Sequence, residues 1–254
     1  MNFILGNGLI GRHLYYLLRD DALLLTRKEV DLSKDSWELP ECSTAFICAG
    51  VTSTEECERH REESQLVNIT NTLKLAEMLK PARVVWISSE RVYDGSIPFR
   101  KVTDEVCPTT EYGRQKAEAE RLLLDLGATV IRFSKVLGWE IPLFEGWIKR
   151  LEGNEFIYPY SNVGMSPISV SFAVDILSKI KEVGLFQVSG DRDISYSQIA
   201  YHIANQMGKV HLVQPVESKP HPYTTLECNF NVDIPDSWET IEGWCQNRLL
   251  TRAQ

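Results

Sequence analysis

Phe3-Ile4-Leu5-Gly6-Asn7-Gly8-Leu9-Ile10-Gly11 is the stretch that decides the fold. Three apolar residues run straight into glycine, and a segment of helical period opens at Leu9, so the order is strand, turn, helix. Within it Gly6, Asn7, Gly8, Leu9, Ile10 and Gly11 match G-x-G-x-x-G. Glycines there let the backbone turn sharply and come close to a pyrophosphate. The helix N-terminus that follows offers free N–H groups and the positive end of its dipole. A tight turn kept only for helix–strand packing would use the same glycines. The βαβ context favours the dinucleotide.

Working outward, further short apolar runs read as strands at residues 22–25, 45–48 (ending in Ala49-Gly50), 84–87 and 129–133. Between them lie helical patterns. One is a long amphipathic segment over residues 55–79, with Leu66, Ile69, Leu73 and Leu75 on its apolar side and Pro81 as its stop. Another covers residues 112–126. Strands alternating with helices predict right-handed crossovers and a parallel sheet covered on both faces. The fold class expected is therefore α/β, a doubly wound parallel (Rossmann) sheet with a small C-terminal substrate lobe. After Gly138 the pattern loosens, with more proline, glycine and aromatics, and helices are expected at residues 144–151, 170–181 and 196–207. The division expected is a dinucleotide-binding domain over residues 1–138 and a smaller substrate-binding lobe over 139–254, sharing the core.

The chain has 254 residues, 43% of them apolar and 24% charged, with a net charge of −8 and no basic run. Such a chain lacks the electrostatic footprint for gripping nucleic acid or anionic lipid. The six cysteines (Cys42, Cys48, Cys57, Cys107, Cys228 and Cys245) form no C-x-x-C pair, and the histidines complete no zinc spacing, so no metal is expected. No apolar stretch approaches the ~20 residues of a membrane span, and the start lacks a secretory pattern. The expectation is a reduced, cytoplasmic compartment, no membrane or nucleic-acid partner, a small-molecule substrate, and compatibility with a homodimer.

The end of the second strand bears on cofactor choice. Sites for NAD often place an acid there to bond the ribose 2′-hydroxyl. Here it reads Leu25-Thr26-Arg27-Lys28, with no acid until Glu29. The two basic residues favour a 2′-phosphate, hence NADP(H), with NAD(H) as the alternative. Two solvated cations opening a surface loop would look the same.

The fourth strand ends in Ile87-Ser88-Ser89-Glu90-Arg91-Val92-Tyr93-Asp94-Gly95, and later comes Glu111-Tyr112-Gly113-Arg114-Gln115-Lys116. Tyr112 and Lys116 share one helix face, one turn apart. A hydride arriving at a carbonyl carbon leaves negative charge on oxygen, and a nearby acid must supply a proton. An unperturbed phenol titrates near ~10; bringing it to neutrality needs about three units, or about 4 kcal/mol, from a neighbouring lysine cation and a water-poor cleft. Ser89 is expected to hydrogen-bond the substrate oxygen. A Y-x-x-x-K on a helix and a Ser-Ser strand end are each common on surfaces. Their order after a glycine loop is what makes them a site.

With these motifs in place the chain resembles the extended branch of the short-chain dehydrogenase/reductase superfamily, and within it the dTDP-4-dehydrorhamnose reductase and NAD-dependent epimerase group. Residues 87–95 are similar to that group's I-S-T-D-Y-V-F-D-G, and residues 108–116 to its P-x-x-x-Y-G-x-S-K. Thr26-Arg27 with Asp31-Leu32, residues 47–58, Val130-Ile131-Arg132 and Ser166-Pro167 align as well. Two departures stand out. The glycines sit one place late for that branch's G-x-x-G-x-x-G, with Leu5 at the first position, and Cys48 stands where the group has Asn. The resemblance implies Ser89 in the Ser/Thr place, Tyr112 as proton donor, and Lys116 as both tyrosine activator and ligand of the nicotinamide ribose. It implies Asp31 and Leu32 by the adenine, with Cys48, Ala49 and Gly50 lining the cofactor.

The function expected is NAD(P)H-dependent reduction of a keto-sugar, nucleotide-linked, with Tyr112 as acid. Two alternatives stay open: a nucleotide-sugar epimerase or dehydratase, for which Glu90 beside the serine would matter, and a non-catalytic dinucleotide-binding regulatory subunit. Trp139, Trp147, Tyr158 and Tyr160 read as core aromatics or as stacking surfaces. Arg132, Lys135, Lys149 and Arg150 are candidates to hold a diphosphate.

Overall fold

Residues 3–5 are too few for a helix and wholly apolar, so they bury best as a strand covered on both faces. In the computed structural model, which describes residues 1–80, 82–218 and 223–250, they do so. In chain order the elements are β1 (Asn2–Leu5), α1 (Leu9–Leu18), β2 (Ala22–Leu25), β3 (Thr44–Ile47), α2 (Thr54–Arg59), α3 (Arg61–Gln65), a π-helical stretch (Leu66–Asn71), α4 (Thr72–Met78), β4 (Arg83–Ser89), α5 (Glu111–Asp125), β5 (Thr129–Phe133), β6 (Val136–Leu137), α6 (Pro142–Glu152), β7 (Gly164–Met165), β8 (Ile168–Ser169), α7 (Val170–Lys179), β9 (Gly184–Val188), β10 (Ile194–Ser195), α8 (Tyr196–Gln206) and α9 (Ser237–Leu250).

The chain forms two compact units. The first comprises Met1–Asp94, Val102–Phe133 and Val170–Gln187. Its sheet runs β2-β1-β3-β4-β5-β9. β1 pairs in parallel with β2 and β3, β3 with β4, and β4 with β5. The alternation of side chains along β1 sorts its residues: Phe3 and Leu5 join the cluster with Ala45, Ile47, Trp86, Val130, Leu75 and Leu123, and Ile4 faces the other way. α1 and α7 pack against each other. This is the doubly wound parallel sheet expected.

The segment over residues 55–79 departs from the single amphipathic helix its periodicity suggests. His60, at φ −123 and ψ 63, interrupts it after α2, and the helix widens to π geometry over Leu66–Asn71 before α4. The widened turn places two buried polar side chains, Asn68 and Asn71, where their amides leave the helix. Asn71 Nδ2 donates to the carbonyls of Leu32 and Lys34 at 2.8 Å each, and Asn68 reaches back to Val51. Pro81, the expected stop, lies outside the described residues.

The second unit comprises Gly95–Lys101, Ser134–Ser169 and Val188–Gln254. Its core joins α6, α8 and α9 through Phe144, Trp147, Ile148, Leu151, Ile199, Ile203, Ile241 and Trp244. Phe144 stacks on Trp147 with centroids 5.3 Å apart and meets Trp244 edge-on at 5.1 Å. Trp147 is therefore core. Trp139, Tyr158 and Tyr160 are exposed.

Arg132 holds no diphosphate. Its side chain and that of Glu120 are each 3% exposed, and the guanidinium grips the carboxylate with Nε at 2.9 Å and Nη2 at 2.6 Å. Nη1 donates to Tyr93 Oη at 2.6 Å. The pair ties α5 to β5 and to the chain after β4. Removing one partner of such a pair strands the other charge, so Arg132→Met is expected to cost about 3–5 kcal/mol in urea unfolding. The double variant Arg132→Met with Glu120→Leu should recover most of that loss. A single-variant cost below about 1 kcal/mol would contradict the reading.

Candidate active site

The glycine loop, Arg27, Asp31, Leu32, Cys48, Ala49, Gly50, Ser89, Tyr112 and Lys116 all lie in the first unit, most of them at or just beyond the carboxyl ends of its parallel strands, where such sheets place ligands, whereas Lys135, Trp139, Trp147, Lys149, Arg150, Tyr158 and Tyr160 lie in the second. The glycine loop leaves β1 with Gly6 N donating to the Leu25 carbonyl at 2.8 Å, and Cys48 N donates to the Leu5 carbonyl at 2.9 Å. Gly6 sits at φ +109, and a Cβ there would fall 2.8 Å from Ala49 N. On Gly11 a Cβ would meet the Gly6 carbonyl oxygen at 2.0 Å, so β1 and α1 approach more closely than any side chain permits. Gly8 differs. Its φ of −68 suits any residue, and a Cβ there would touch nothing within 4 Å. It heads α1 with no side-chain cap and no acidic residue in the first turn. Neither backbone strain nor packing accounts for that glycine, whereas the close approach of a phosphate does. The residues present fit a dinucleotide.

After β2 the chain coils on itself. Glu29 Oε2 accepts from both the amide and the hydroxyl of Thr26 at 2.8 Å, which holds its carboxyl below the usual range. The nearest acid is thus spent on its own loop. Arg27, its side chain 80% exposed, makes an ion pair with Asp31 at 3.3 Å. Asp31 also accepts from Ser33, and Leu32 is buried. Beyond β3, Cys48 and Ala49 are half-buried and Gly50 exposed. Burial pushes the Cys48 thiol up to about 12, so it is neutral. Asn68 clasps both the amide (2.8 Å) and the carbonyl (3.0 Å) of Val51, and passes a hydrogen bond to Gln115 Oε1 at 2.8 Å.

α5 starts under tight control. Thr110 caps it by accepting from Gly113 N at 3.1 Å, and Glu58 accepts from Glu111 N at 2.8 Å, putting negative charge at the positive helix end. Gly113 lets the helix press on the turn after β4, since a Cβ there would lie 2.2 Å from the Arg91 carbonyl oxygen. Tyr112, buried in the first turn of α5, is thereby brought to the end of β4. Lys116 is buried, donates to the Ile87 carbonyl at 2.8 Å, and lies 4.1 Å from the centre of the Trp86 ring and 5.8 Å from that of Tyr112. Burial brings its pKa down to about 8, opposed by the Glu120 carboxylate.

Two details differ from expectation. The phenol of Tyr112 is shifted upward rather than towards neutrality, first by burial and then by the Glu90 carboxylate. The Ser89 hydroxyl donates to Glu90 Oε2 at 2.7 Å, while Arg91 pairs with Oε1 at 3.2 Å. Glu90 thus points at its chain neighbours. Its direction, and the clasp by Asn68, were not read from sequence; two asparagines three apart within an apolar stripe were the available signal for the clasp.

A family model described as RmlD substrate binding domain matches residues 3–229 of this chain. Among curated proteins, the methionine adenosyltransferase 2 subunit beta of Bos taurus is 29% identical over 123 residues, 47% of this chain but only 34% of that protein's own length. The dTDP-4-dehydrorhamnose reductase of Aggregatibacter actinomycetemcomitans is 24% identical over 245 residues, covering 85% of this chain and 83% of that one. Among solved structures, the dTDP-4-dehydrorhamnose reductase of Bacillus anthracis, in complex with NADP, superposes with a TM-score of 0.83 at 21% identity, over 96% of each chain.

Proposed function

This chain belongs to the RmlD substrate binding domain family, and on that footing we propose that it reduces a keto group on a nucleotide-linked sugar, with NADP(H) as the hydride source and Tyr112 as the proton donor. The observation that carries the reading is the convergence of a buried Tyr112, a buried Lys116 and Ser89 beside the end of β4, in the same unit as a glycine loop whose Gly8 faces open space. Gly6, Asn7, Gly8, Leu9, Ile10 and Gly11 would hold the pyrophosphate, and Arg27 a 2′-phosphate. Asp31 and Leu32 would lie by the adenine, Cys48, Ala49 and Gly50 would line the cofactor, and Lys116 would bond the nicotinamide ribose. When bound, the cofactor supplies the hydride. The carbonyl oxygen that takes up the resulting charge removes the phenol proton from Tyr112, so C=O becomes CH–OH and the tyrosine is left as phenolate. The Lys116 cation, held in place by the Ile87 carbonyl and the Trp86 ring, offsets that charge.

NADP(H) is favoured over NAD(H) because Glu29, the first acid after β2, is engaged by Thr26, leaving Arg27 exposed at the loop. A dehydratase would need a carboxyl directed at substrate, and both oxygens of Glu90 are taken by Ser89 and Arg91. A second reading, a dinucleotide-binding regulatory subunit, draws on the likeness to methionine adenosyltransferase 2 subunit beta. The two part on one assay. Purified protein with NADPH and a panel of dTDP- and UDP-linked 4-keto-6-deoxy sugars should consume cofactor on at least one member. A protein that binds NADPH yet consumes none above the Tyr112→Phe background is the regulatory subunit.

A further inference from the structure

β3 ends at Ile47, and Cys48 N still donates to the Leu5 carbonyl, but Val51 lies beyond the sheet. A side chain satisfies its backbone instead. Asn68 Oδ1 accepts from the Val51 amide at 2.8 Å and Asn68 Nδ2 donates to the Val51 carbonyl at 3.0 Å, the two-point exchange that a facing strand residue would make. The other hydrogen of Asn68 Nδ2 goes to Gln115 Oε1 at 2.8 Å. Gln115 Nε2 donates in turn to Ser64 Oγ at 2.8 Å and to Glu111 Oε1 at 3.2 Å, and Ser64 gives its own hydrogen to the Arg61 carbonyl at 3.1 Å. Ser64, Asn68 and Gln115 are all buried. Each amide uses its oxygen and both hydrogens, and turning either one over would set N–H against N–H. The Asn68 amide is thus held in one orientation, and Gln115 is the group that holds it from α5. Gly50 closes the other side, since a Cβ there would lie 3.0 Å from Asn68 Oδ1. Gln115 stands where the P-x-x-x-Y-G-x-S-K pattern has serine.

We propose that Gln115 is a positioning residue for the dinucleotide, acting through Asn68. It lies on α5 between Tyr112 and Lys116, so one side chain ties the helix that carries them to the loop over Cys48, Ala49, Gly50 and Val51. Its role in binding rests on the dinucleotide reading, which has that loop line the cofactor. The hydrogen bonds of the bridge are already made in the free protein, so the loop is ordered before a cofactor arrives and binding need not order it. Without the bridge that cost falls on the cofactor, and affinity drops.

The test removes the bridge with Gln115→Met, which keeps the reach of the side chain but none of its hydrogen bonds. In hydrogen exchange followed by NMR, without cofactor, the Val51 amide should exchange at least about tenfold faster while the amides of β4 keep their protection. The dissociation constant for NADPH should rise about tenfold in Gln115→Met and about as much in Asn68→Ala; the double variant should be no worse than Asn68→Ala alone, whereas independent effects would multiply to about a hundredfold. If Gln115→Met does not fold, Ser64→Ala, which frees one Gln115 hydrogen, should speed exchange at Val51 by about threefold. Unchanged exchange at Val51 in the folded variant overturns the proposal, as does a multiplied loss of affinity in the double variant. A parent protein that binds no NADPH would sink the dinucleotide reading, while exchange at Val51 still decides whether Gln115 holds the loop.

Discussion

Tyr112→Phe is expected to lower kcat for keto-sugar reduction by about 10³-fold while leaving the dissociation constant for NADPH within about threefold of the parent. The substitution deletes one hydroxyl and keeps the ring that packs between α5 and β4. Tyr112 is 9% exposed, so Phe fits the same space, and the loss to stability should be no more than about 1 kcal/mol. The loss to turnover is much larger, because in this account the phenol is the acid placed at the reacting oxygen: the Ser89 hydrogen goes to Glu90, and Lys116 is held by the Ile87 carbonyl with its remaining hydrogens assigned to the nicotinamide ribose. A residual rate within tenfold of the parent would place the acid elsewhere.

Lys116 gives this account a pH signature. Burial brings its pKa down to about 8, below the ordinary lysine value near ~10.4. Below about pH 8 it is a cation and can offset phenolate; above it the cation is lost, so kcat should fall across that value. Stability moves the other way. Between about 8 and the unfolded value the unfolded chain binds more protons at this position than the native one, so the group's contribution to stability improves as pH rises through that window. A kcat profile set beside urea midpoints, both over pH 7 to about 9.5, should show the opposed trends, and Lys116→Met should abolish them.

The second large effect separates two glycines of one loop. Gly11→Ala places a Cβ 2.0 Å from the Gly6 carbonyl oxygen, backbone against backbone, with no flexible side chain to yield. Pushing α1 off β1 is expected to cost more than about 3 kcal/mol and to abolish NADPH binding with it. Gly8→Ala meets nothing within 4 Å at a φ of −68, so its unfolding free energy should stay within about 1 kcal/mol of the parent, while NADPH binding weakens at least about tenfold. Thermal unfolding read beside cofactor titration resolves the pair. If Gly8→Ala bound NADPH like the parent, the loop would be a packing device and the dinucleotide reading would fail.

How much of this could be read from sequence varies with the range of the interactions involved. The parallel sheet was legible because short apolar runs alternating with helical periods have few other solutions. Tyr112, Lys116 and Ser89 were legible as a set from their order and from a four-residue helical spacing. The break at His60 and the π turn carrying Asn68 and Asn71 were not, since they answer to Val51, Leu32 and Lys34, partners 17 to 39 residues away. β9 and α9 went unread for a related reason. Gln187 interrupts the apolar run of β9 with a fully buried polar side chain, and the apolar residues of α9 (Trp238, Ile241, Trp244 and Cys245) lie among charges that blur its stripe. The upward shift of the Tyr112 phenol depends first on its burial and then on the Glu90 carboxylate. A sequence lists the carboxylate beside the serine, but only a structure shows that it takes the serine's hydrogen.

The central claim is that hydride passes from a nicotinamide to a sugar carbon. Incubation of the protein with an accepted keto-sugar and NADPH carrying deuterium at the transferable C4 position, followed by mass spectrometry of the sugar, tests it most directly. The account predicts one deuterium bound to the former carbonyl carbon for each cofactor oxidised, and none with Tyr112→Phe over the same interval. A sugar that is reduced or inverted without taking up the label, or cofactor that is bound and never oxidised, would contradict it.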